Sequence, residues 1–172
     1  MTIERMSVHR LVIGCCIVGL ASCATAPKTV SEFRTAVSQG TAFMTQETHN
    51  INREFSIVVK NVESKSKECL GFGYTTRTTA GASLRQTTVT YHPTVKVVGN
   101  GKAEMFMQEK RTPQPVGSPE GGAYIFLADI NRVSATQTRV TMYGPSFPTW
   151  KPIFSAIKGW ANGENVKCPN SP

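Results

Sequence analysis

Histidine and aspartate are nearly missing from this chain: three histidines and a single aspartate, Asp129, stand among 172 residues. The side chains that most often bind metals or move protons are therefore scarce. No H-E-x-x-H, G-x-S-x-G, phosphate-binding loop or Cys–His signature occurs. Gly71-Phe72-Gly73 and Gly121-Gly122 are too short to cradle a phosphate and read as a helix stop and a turn. His92 precedes Pro93 and reads as a strand-end or turn residue. Glu104 and Glu109 lie five apart on an expected strand, so they face opposite sides and make poor acid–base partners. A triad drawn from His92, Asp129 and a serine stays open, because triads assemble from distant positions. On this inventory the expectation is a protein that is not an enzyme and carries no metal and no cofactor.

A run long enough to cross a membrane is also missing. Leu11 to Leu20 is apolar and uncharged, but a spanning helix takes about 20 such residues. With Arg5 and Arg10 before it, the run has the form of a secretory signal; a buried N-terminal helix is the alternative. Leu20-Ala21-Ser22-Cys23, followed by Ala24, resembles the lipobox of bacterial lipoproteins. The resemblance implies cleavage before Cys23 and a diacylglycerol on its sulfur. Alanine rather than aspartate after the cysteine implies sorting to the outer membrane, with the domain on the periplasmic side. Two or more acyl chains hold firmly where one gives marginal affinity. The chain then divides into a signal peptide (1–22), a lipidated cysteine and tether (23–40) and one domain (41–172).

Of five cysteines, Cys15 and Cys16 would leave with the signal and Cys23 would take lipid. Cys69 and Cys168 remain, and in an oxidising envelope compartment they are expected to form a disulfide. It would close a loop of about 100 residues, worth roughly 4 to 5 kcal/mol in the chain-entropy model. Two sulfurs without clustered histidines cannot complete a tetrahedral metal site. Loss of Arg5, Arg10 and Glu4 takes the net charge from +8 to about +7. Export makes nucleic acid an improbable partner, and the basic residues are scattered. They read as solvated surface, or more sharply as attraction to anionic lipid, lipopolysaccharide or an acidic partner.

The mature chain, about 150 residues, suffices for one compact domain. Residues 24–30 read as tether, and Ser31 to Ser38 as a short helix or more linker. Thr41 to Asn50 is polar with weak alternation and is expected to be a strand. Phe55, Val58, Val59, Val62 and Cys69 fall at helical spacing, with Asn52 as the expected cap and Gly71 as the stop. From Phe72 to Tyr143 the chain is rich in Thr, Val and Tyr and its period becomes two. Strands are expected around Thr87–Tyr91, Ala103–Gln108, Tyr124–Ile130 and Thr138–Tyr143, with a hairpin at Gly99-Asn100-Gly101. Thr112 to Gly122 holds three prolines and three glycines and must be a long loop. Trp150, Ile153, Phe154, Ile157, Trp160 and Ala161 trace one helical stripe, with Thr149 as cap, Pro152 in the first turn and Gly163 beyond the end.

These elements predict an α+β fold: a curved antiparallel sheet of about four to six strands, packed against a helix from the N-terminal half and a C-terminal helix. The order resembles the helix-grip arrangement, found also in lipid-binding domains and in a lipoprotein subunit of the outer-membrane β-barrel assembly machinery. Element order alone carries no function across. Two functional readings follow. The preferred one is an adaptor that docks on an envelope protein through the 112–122 loop, since exposed loops often carry recognition. The other is a carrier or sensor of an apolar molecule, held between the last helix and the sheet by Trp150, Phe154, Ile157, Met105 and Phe126.

Overall fold

The computed structural model describes residues 27–40, 43–80 and 83–170. The stretch expected to be a signal peptide and lipobox, with Cys23, lies outside the described residues. Six antiparallel strands form one sheet in the order β1-β6-β5-β4-β3-β2, curled into a half-barrel. They are β1 (Met44–Ile51), β2 (Gly73–Ala80), β3 (Ser83–Gly99), β4 (Lys102–Thr112), β5 (Ala123–Arg132) and β6 (Thr138–Pro145). Three helices accompany them: α1 (Val30–Ser38), α2 (Phe55–Cys69) and α3 (Lys151–Ala161). The α+β class is the one expected, with the helix, the meander of strands and the final helix in the anticipated order. None of the described helices is long and apolar enough to cross a membrane.

Strands β2 to β6 pair with their sequence neighbours, while α2 carries the chain across so that β1 lies on the far side of β6. Helices α2 and α3 cover one face of the sheet. Their apolar stripes, including Val58, Val62, Phe154, Ile157 and Trp160, close on Met105, Met107, Phe126, Ile130 and Met142. Burial of this kind is the main stabilising term of such a fold. The N-terminal cap of α2 is Glu54, which makes no side-chain cap bond; the expected cap, Asn52, accepts instead from Gln137 Nε2 at 3.2 Å. At α3 a 3-10 turn, Pro148–Trp150, precedes the helix, so Trp150 rather than Thr149 stands at the cap.

Helix α1 settles the alternatives left open for Ser31 to Ser38. Thr29 caps it through its hydroxyl, which accepts from the Glu32 N–H. Its Phe33 and Val37 bury against Phe106, Leu127 and Tyr143 on the opposite face of the sheet. Part of the stretch read as tether is thus packed structure. This second core explains why Met105-Phe106-Met107 lacks a polar alternate. Ala103, Met105 and Met107 point toward α2 and α3, while Phe106 points the other way and is still buried.

Candidate functional site

One end of the sheet gathers the unusual features. Here β4 stops at Thr112, the 113–122 loop turns back into β5, β6 ends at Pro145, and β1 begins at Met44 beside it. The loop is held by its own polar groups. Gln114 Nε2 donates to the Pro119 carbonyl at 2.6 Å and Gln108 Nε2 to the Gly122 carbonyl at 3.1 Å. The Gly122 N–H donates to the Pro119 carbonyl at 2.9 Å. Gly122 has φ 96° and lies so close to the Glu109 carbonyl that any Cβ would collide with it. Between this loop, the start of β5 and Lys28 lies an open groove of about 580 Å³. Tyr124 and Ile125 form its apolar wall, Glu109 and Arg111 its charged one, and the fully exposed Val116 its outer lip. Arg111 donates to Glu109, and that hydrogen bond, with the carboxylate's charge, raises its pKa further.

The face under α1 holds a charge cluster that the sequence does not announce. Glu104 and Asp129 are directly opposed on β4 and β5, a repulsive arrangement when unbridged. Arg34 of α1 bridges them, donating from Nη2 to Glu104 Oε1 at 2.8 Å and to Asp129 Oδ1 at 2.7 Å, and from Nε to Asp129 Oδ2 at 3.0 Å. The Asp129 hydrogen bond, partly offset by desolvation, raises the pKa of the guanidinium. Glu104 and Asp129 lie 70 and 95 positions beyond Arg34, so no local pattern could join them. The cluster clamps α1 to the sheet.

Other residues singled out from the sequence fall as follows. Glu104 and Glu109 do face opposite sides: Glu104 meets Arg34, while Glu109 accepts from the Tyr91 hydroxyl at 3.3 Å. His92 lies at 3.1 Å from Thr90 Oγ1. It is level with Gln108 and Tyr124, whereas Asp129 is level with Glu104 and Lys96. Four residues along the strand, about 13 Å, and the intervening strand β4 therefore separate His92 from Asp129, and no triad forms between them.

Cys69 and Cys168 are joined by a disulfide that ties the end of α2 to the segment after α3. Glu68 lies beside the two sulfurs, but sulfurs bonded to each other are spent as metal ligands.

Trp150, Phe154, Ile157, Met105 and Phe126 do come together, but as core. Each is at most 8 % exposed. The Phe126 ring sits edge-on to Phe154 at 5.1 Å and stacks over Trp150 at 6.4 Å. None of the described cavities lies among them. Ring contacts and close packing join them in the core that α2 and α3 form with the sheet. The 112–122 loop could be found in the sequence by its prolines and glycines; the groove beneath it could not, because Lys28 reaches it only through the fold of α1.

No protein-family model matches the chain, and no curated protein is significantly similar to it.

Proposed function

We propose that this protein is a lipoprotein of the outer membrane, held through Cys23 on the periplasmic side, whose domain serves as an adaptor for an envelope protein. The groove under the 113–122 loop carries this reading. It is an open, mixed apolar and charged surface with internally braced walls, suited to an exposed segment of another protein. A braced loop loses little conformational freedom on binding, which favours recognition. The lipobox-like Leu20-Ala21-Ser22-Cys23 supplies the anchor, and the basic composition suits an acidic partner or an anionic surface.

The test places a photo-crosslinking residue at Val116 in the full chain in intact cells, with the same residue at Val133 as control. Both positions are exposed, so neither replacement disturbs packing. A defined protein adduct from position 116, lost when Arg111→Glu reverses the groove charge, is the expected outcome. Identical adducts from 116 and 133 would refute recognition by the groove. Incorporation of labelled palmitate, abolished by Cys23→Ser and kept in Cys15→Ser, is expected for the anchor.

A further inference from the structure

We infer that the loop end of the sheet is a membrane-contact face, so that the domain rests on the bilayer that holds its anchor. The inference rests on the lipidation of Cys23 proposed above. Cys23 precedes Lys28 by five residues, which at full extension span roughly 18 Å. Lys28 lines the groove at the loop end, beside the middle strands β4 and β5. The opposite end of β4, an 11-residue strand, lies about 33 Å away. A leash of that length therefore keeps the loop end near the lipid and leaves the far end beyond its reach.

The loop end carries apolar groups on both sides of the tether exit. On the β1–β6 edge, Phe43 and Phe147 stack at 5.5 Å, with 67 % and 47 % of their surfaces exposed. Phe43 is the one described residue other than glycine with positive φ, at 67°. Its carbonyl accepts from the Ser146 N–H at 2.8 Å, so a sterically costly backbone holds an aromatic ring in the solvent rather than in the core. On the opposite edge, the β2–β3 hairpin overshoots β4. Thr88 pairs with Thr112, and the residues before it pair only with β2. Leu84, 66 % exposed, stands on this arm. Arg77 and Arg85 lie across from Gln86 and Thr78 on the same arm, and residues 73–90 include no acidic residue. Exposed aromatic and aliphatic side chains flanked by arginine match the boundary of an anionic bilayer. Exposed Val97, Val98 and Val133 belong to the other end and carry no aromatic ring.

The test uses the full chain, purified with its lipid, in vesicles of phosphatidylethanolamine and phosphatidylglycerol with brominated acyl chains. Three variants each add one tryptophan, Phe147→Trp, Leu84→Trp and Val133→Trp, over the constant background of the buried Trp150 and Trp160. Loss of the added emission at 147 and 84, with emission at 133 unchanged, is expected. Equal quenching at all three positions, or none at 147 and 84, overturns the inference even if those positions crosslink to a protein. The mass of the same preparation separates the two claims. An unacylated chain would overturn the anchor and the membrane face together; an acylated chain without quenching would overturn the face alone.

Discussion

Tyr91 shows how one side chain links the sheet to pH. It is buried beside Phe72, at 4.8 Å between ring centroids, and near Tyr74. Burial first, then the hydrogen bond to Tyr74 and the charge of Glu109, hold its phenol above the ordinary value of 10.0. Tyr143 is shifted the same way, mainly by burial and then by the charge of Asp129. A raised folded-state pKa means that the unfolded chain releases its proton first. The contribution is therefore intact below pH 10 and is lost as the pH rises past it. Tyr91→Phe is expected to flatten the alkaline fall of the thermal midpoint without removing the ring packing. An alkaline limb identical to that of the parent would refute this assignment.

At the scale of elements, α1 is held by two different devices. Phe33 supplies area against Phe106, Leu127 and Tyr143, and Arg34 supplies charge between Glu104 and Asp129. Phe33→Ala would cost about 3 kcal/mol if the helix stayed docked. Arg34→Ala leaves two opposed carboxylates without a cation, for about 1 kcal/mol after allowance for solvent screening. Because α1 is only nine residues long, it has little stability of its own. Both variants should therefore release it locally: amide exchange across 30–38 should quicken while Met105 and Ile130 on the sheet stay protected. Uniform loss of protection over the whole domain would show instead that α1 is part of one cooperative unit.

The whole molecule is closed by its disulfide. Cys69 and Cys168 are 99 residues apart, so their link restrains a long loop of the chain, from the end of α2 to the segment after α3, when unfolded. Replacing both by serine should cost roughly 4 to 5 kcal/mol, read as a lower midpoint in urea. The polar face of α1 and its ion pairs should remain unchanged in the folded variant. Reduction of the parent protein should reproduce the same loss, and a midpoint insensitive to reductant would count against the disulfide's role.

Much of this architecture was legible along the chain, and the parts that were not share a cause. The α3 stripe from Trp150 to Ala161 was readable because side chains three and four apart must share one helical face whatever surrounds them. The Gly99-Asn100-Gly101 hairpin was readable because few residues accept its backbone, and the Cys69–Cys168 pair because these are the two cysteines beyond the N-terminal 23 residues. Strand β2 was harder: its Thr-rich sequence is exposed throughout Gly73–Thr79, so no apolar alternation marks it, and pairing with β3 alone defines it. The sequence by itself determined the periodicities, the turn positions and the supply of cysteines, because these depend on near neighbours. Only the tertiary structure decided that Phe106 is core, that Arg34 bridges Glu104 and Asp129, that Phe126 meets the rings of Trp150 and Phe154, and that Lys28 emerges beside the 113–122 loop. Each of those depends on which distant surfaces the curled sheet and its helices bring into contact, and no spacing along the chain encodes that contact.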